Sequence, residues 1–159
     1  MNTTRACLLF VAVSLGSLLE EAVAQTLPKT GSISWHTGWR SVGEVLDVAK
    51  GRAQGHGSVI GISFNNAGSG ALHQGPAECV YTFLLTDGNG PVKGYCAFGD
   101  SDGDRIFTDF SGEGGSGTNV IVGGTGKYAG ITGSGPWNSS PRGSHGALAT
   151  TQRLDYRLP

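Results

Sequence analysis

The residues best suited to chemistry in this chain are one glutamate, a run of three aspartates and a pair of cysteines. Glu44 alternates with Val42, Leu46 and Val48, so on a strand the four share a face and the carboxylate stands among apolar side chains. Facing a cavity, it would have its pKa raised by desolvation and would suit work as an acid, a base or an electrostatic anchor. An inward glutamate tied to Arg40 or Arg52 for structure alone is the competing reading. Asp100, Asp102 and Asp104 set carboxylates on alternate residues of a turn, a weak candidate for Ca²⁺. The full calcium-loop pattern fails, because Arg105 stands where its glycine belongs and Ser111 where its glutamate belongs. A solvated hairpin turn is the plainer account of that run.

Other chemistry finds little support. His36, His56, His73 and His145 show no close metal-type spacing, and the Gly-Ser-Gly runs lack the frame of a nucleophile elbow. No motif here specifies a hydrolase or calls for a cofactor.

These residues have to be carried by strands. Ile33, Trp35, Thr37 and Trp39 alternate with smaller or polar neighbours, the period-two signature of a strand with one buried face. Similar runs follow at 42–48, 58–64, 79–86, 91–98, 105–110, 119–122 and 146–158. Segments 65–74 and 135–143 read as loops, and the 28 glycines read as turns and bulges. Helix signals are nearly absent. About eight consecutive strands predict an all-β, closed antiparallel barrel, which leaves no edge exposed. Trp35, Trp39, Tyr81 and Phe83 are the candidates to line or fill its interior.

Export is the firmest expectation from the sequence. Arg5 precedes an apolar run from Cys7 to Leu19, and Ala22-Val23-Ala24 supplies a small-x-small cleavage pattern. Residues 1–24 therefore read as a signal peptide too short to span a bilayer, and 25–159 as one domain that is secreted or periplasmic. Removing the leader takes the formal charge from 11 − 12 = −1 to 10 − 10 = 0. A balanced surface does not favour nucleic acid as a partner, no membrane span remains, and a homo-oligomer is compatible.

Outside the cytosol Cys79 and Cys96 are expected to form a disulfide. A two-residue turn at Asp87-Gly88 would set Thr86 opposite Asn89 and, counting back, Cys79 opposite Cys96. A longer loop through Gly90 would shift that register, since Pro91 has no amide to donate. Two buried thiols in neighbouring strands are the alternative.

The stretch from Gly123 to Gly135, Gly-Gly-Thr-Gly-Lys-Tyr-Ala-Gly-Ile-Thr-Gly-Ser-Gly, resembles the late turn of the allene oxide cyclase and dirigent barrels, with 146–158 matching their closing strand. In its own terms it is a tight turn whose glycines take positive φ while Tyr128 and Ile131 plug the barrel end. The resemblance covers the last third of the chain. It implies an eight-stranded barrel with an apolar cavity, similar to bacterial-type relatives of unsettled activity, and it carries over no catalytic residue.

Three functions follow as expectations: a barrel binding an apolar or phenolic small molecule, an allene-oxide-cyclase-like isomerase using Glu44 or a bound water, and a structural cell-envelope protein with a filled barrel. A small barrel can be packed solid or hold one ligand.

Overall fold

The computed structural model describes residues 27–159; the expected signal peptide lies outside them. Eight strands close into an antiparallel barrel in sequence order: β1 (Thr30–Ala49), β2 (Arg52–Asn65), β3 (Gly75–Thr86), β4 (Pro91–Gly99), β5 (Arg105–Glu113), β6 (Ser116–Gly124), β7 (Thr132–Ser139) and β8 (Ala147–Arg157), with β8 pairing back onto β1. No helix among the described residues is long and apolar enough to cross a membrane.

The expected strand count holds, but its composition differs in two places. The runs at 33–39 and 42–48 are one strand. Ile33, Trp35, Thr37, Trp39 and Ser41 are buried, and the ladder with β2 continues from Trp35↔Asn65 to Asp47↔Ala53 in one register. A loop was expected at 135–143, yet β7 occupies most of it. Its sequence, Thr-Gly-Ser-Gly-Pro-Trp-Asn-Ser, has almost none of the β-branched residues by which a strand is recognised. Pro136 interrupts the β7–β8 ladder, which resumes in the same register at Trp137↔Gln152.

The barrel has a closed end and an open one. At the closed end, two loops fold inward over Trp35, Phe98, Ile106 and Leu154: the β2–β3 loop brings Leu72, and the β6–β7 loop brings Tyr128 and Ile131. All seven side chains are buried. The glycine-rich turn thus does what its sequence implies, with Gly126 and Gly130 at positive φ.

Asp100, in the β4–β5 turn, fastens both loops. Its carboxylate accepts the Leu72 backbone N–H and, at 2.6 Å, the Tyr128 hydroxyl, and it ion-pairs with Lys127 Nζ at 2.7 Å. Asp102 and Asp104 approach the same ammonium, Asp104 at 3.5 Å, and Asp104 also accepts the Lys127 backbone N–H. The aspartate run read as a Ca²⁺ candidate or a solvated turn therefore converges on a lysine 23 residues beyond Asp104. Among the described residues no cluster of His, Cys, Asp and Glu is arranged to hold a metal ion.

These ties set a pH window. The Lys127 hydrogen bond holds the Asp102 carboxyl below its ordinary 3.8. Burial pulls the Lys127 ammonium down, but its hydrogen bonds to Asp100 and Asp102 outweigh that and leave it above 10.5. Burial also pushes the Tyr128 phenol above its ordinary value, helped by the neighbouring Asp100. A depressed carboxylate stabilises the fold above its unfolded pKa and loses that contribution as pH falls through its folded value, here below 3.8. The raised lysine and tyrosine stabilise it fully below their unfolded values and lose that contribution as pH rises through the folded ones. Thermal melts are expected to show a plateau at neutral pH and a midpoint that falls as pH rises above about 10; an unchanged midpoint there would contradict the closure.

Candidate functional site

What keeps the other half of the barrel open is the placement of its glycines. Many are not in turns. They face inward from strand positions, each beside an aromatic ring from a neighbouring strand. Trp39 stands opposite Gly61, Tyr81 opposite Gly57, Phe83 opposite Gly55 and Phe110 opposite Gly94. A Cβ added at Gly61, Gly57 or Gly94 would lie 2.9, 2.7 or 2.8 Å from the ring system of Trp39, Tyr81 or Phe110, respectively. At Gly112 it would lie 2.6 Å from the Trp137 indole. Without side chains in those places, the rings lie flat against the wall and the lumen is left unfilled. Reading the glycines as turns and bulges suits those at positive φ in the connections between strands, such as Gly51, Gly88 and Gly126, and is incomplete for these.

The result is an apolar cavity of about 200 Å³ that opens at the end opposite the plug. Trp39, Phe98 and the Cys79–Cys96 pair lie deepest, with Val59, Tyr81, Val92, Phe110, Trp137 and Leu148 around them. Cys79 and Cys96 form a disulfide between directly opposed residues of β3 and β4, with Cα atoms 4.0 Å apart. The register is the one implied by a two-residue turn: Thr86 bridges Asn89, and Asp87 and Gly88 both take positive φ. Pro91 interrupts the ladder without shifting it, because pairing resumes at Phe83↔Val92.

Polar groups in the lumen are few and mostly paired. Trp39 Nε1–H donates to Thr150 Oγ1 at 2.7 Å, and Thr108 Oγ1–H to Asn119 Oδ1 at 3.4 Å. At the mouth, Ser41 Oγ and Tyr81 Oη share a hydrogen bond of 2.7 Å, and Arg142 Nη2–H donates to the same phenol oxygen at 3.2 Å. Arg142 sits in the β7–β8 connection and, among the described residues, is the one charged side chain lining the cavity. The Trp137 Nε1–H is buried at the wall with no partner among the described residues.

The expected site residues are distributed unevenly around this cavity. Trp39 and Tyr81 line it. Trp35 lies in the closed half, fully buried, with its ring edge-on to Phe98 at 5.1 Å. Phe83 stacks beside Tyr81 nearer the rim and is not part of the lining. Glu44 requires a correction. The odd-numbered residues of β1 face inward, so Glu44 projects outward with Val42, Leu46 and Val48, and all four are exposed. Their apolar alternation marks an outer face, so the desolvated setting that suggested acid or base chemistry for Glu44 does not exist. Asn119, Arg142, Trp137 and Thr150 were not foreseen. Arg142 and Trp137 fall in or beside the segment read as a loop, where no periodicity points to a lumen.

No protein-family model matches this chain. No curated protein matches it either. Among solved structures, a pterocarpan synthase dirigent protein is similar at 13% identity, over 82% of this chain and 90% of that one, with a TM-score of 0.49.

Proposed function

We propose that this chain is an exported carrier or receptor barrel that holds one small apolar or phenolic molecule in its lumen. The observation that carries the reading is the cavity itself. Half of the interior is packed and plugged, while the other half is kept open by glycines beneath aromatic rings. An apolar lumen with a few fixed polar groups is the usual form of a small-molecule site. A disulfide between β3 and β4 suits an oxidising compartment outside the cytosol, as the expected leader requires. A completely filled, purely structural barrel is disfavoured by the same cavity. The isomerase reading loses its Glu44 arm, since among the described residues no carboxylate lines the lumen.

Outside the barrel, Ile60, Ile62, Val80, Tyr95, Val120 and Val122 are exposed on the sheet. A homo-oligomer would use that surface, because apolar faces of this extent are where copies of a chain associate.

The test is a titration with the single-ring phenol 4-hydroxyacetophenone followed by tryptophan fluorescence, since Trp39 and Trp137 both line the cavity. Saturable quenching at one site per chain is expected. Val92→Trp, which fills the lumen from its wall, should weaken binding at least tenfold while retaining the native circular dichroism. Unsaturable quenching, or equal binding by the variant, would contradict the reading.

A further inference from the structure

We infer that the preferred occupant is a single-ring aryl carboxylate, with its ring in the lumen and its acid group at the mouth on Arg142. This deepens the proposal above and rests on it.

Size limits the apolar part. A dry cavity of about 150 Å³ accommodates benzene, so the lumen of about 200 Å³ takes one aromatic ring with a short side chain and no long acyl chain. Its walls are suited to a ring, because Trp39, Phe98, Phe110 and Trp137 present aromatic faces and edges from four different strands.

Charge selects the polar end. Every lining residue except Arg142 is uncharged, so an anion entering the mouth meets one guanidinium and no carboxylate. Arg142 has no ion-pair partner among the described residues. It spends one N–H on Tyr81 Oη and keeps the rest of its five donors for a second acceptor. A carboxylate is the acceptor whose two oxygens match that fork. Tyr81 contributes as well. Its oxygen accepts from Arg142 and shares a hydrogen bond with Ser41, so the phenol is held at the rim beside the guanidinium.

The experiment compares 3-phenylpropanoate with its neutral counterpart 3-phenylpropanol, by calorimetric titration of the mature, disulfide-intact chain and of Arg142→Gln. Arg142 is exposed on a connection between strands, so the variant is expected to fold, and circular dichroism checks it. The acid should bind the unaltered chain at least tenfold more tightly than the alcohol. In Arg142→Gln the acid should weaken at least tenfold, to the level of the alcohol. Equal affinities of acid and alcohol for the unaltered chain, or an acid preference that survives in the variant, would overturn this inference and leave the lumen as a site for neutral molecules. Failure of both compounds to bind would overturn the proposed function with it.

Discussion

Asp100→Ala is expected to lower the unfolding free energy by about 2–6 kcal/mol, the cost of leaving two buried donors without their acceptor. The substitution deletes one side chain, strands two donors and weakens the pairing of a third group. The Tyr128 hydroxyl and the Leu72 N–H lose their acceptor in a buried setting, and Lys127 loses its most buried carboxylate while keeping Asp102 and Asp104. Each unsatisfied polar group costs about 1–3 kcal/mol. Both closing loops depend on the same carboxylate, so the loss should also loosen the plug over Trp35 and Phe98. Asp102→Asn supplies the contrast. Asp102 touches the same ammonium, but its side chain is 54% exposed, and an exposed pair contributes under about 1 kcal/mol. Urea unfolding of the two variants measures both terms; similar small losses would show that Asp100 is not the fastening point.

Gly57→Val should have the largest effect on binding, at least a hundredfold, accompanied by a stability loss of about 1–3 kcal/mol from overpacking. A Cβ at Gly57 would sit 2.6 Å from the Val42 carbonyl oxygen and 2.7 Å from Tyr81 Oη. The first neighbour is backbone and gives little. The ring must move instead, and the direction left open to it is the lumen. Tyr81 would then occupy the ligand's space and break its hydrogen bonds with Ser41 and Arg142. Gly88→Ala, in the β3–β4 turn, has nothing within 4 Å of the added Cβ, although its φ of 81° strains any side chain. It should cost stability and leave binding unchanged. Titration of the two variants with 4-hydroxyacetophenone separates filling of the lumen from general destabilisation. Retained affinity in Gly57→Val would mean that the glycines do not set the cavity.

How far the sequence carries the account depends on whether a feature is local. The barrel is legible because alternation and turn residues are local signals, and the Cys79–Cys96 pairing is legible because Asp87-Gly88 fixes a register that can be counted. The plug is legible in part. Gly126, Tyr128 and Gly130 announce a tight turn, but nothing near Asp100 indicates that Lys127 and Leu72 will meet it. Glu44 shows the opposite failure. Apolar alternation at 42–48 was taken for an inward face, whereas the continuous strand from Trp35 fixes the parity and turns those residues outward. Inward glycines were illegible for a similar reason. Each is defined by a ring on the adjacent strand, and strand pairing must be known before Gly57 and Tyr81 can be seen as one unit. The mouth was hidden because β7 and the connection after it carry Trp137 and Arg142 on a sequence without strand character.

That the open half of this barrel is a binding site can be tested by crystallographic location of a brominated single-ring ligand, 4-bromophenol, by its anomalous signal. One bromine per chain is expected inside the lumen, among Trp39, Phe110, Trp137 and Leu148 and above the Cys79–Cys96 bridge. Bromine found only on the outer sheet, around Val80 and Tyr95, with none in the lumen at saturating ligand would contradict it.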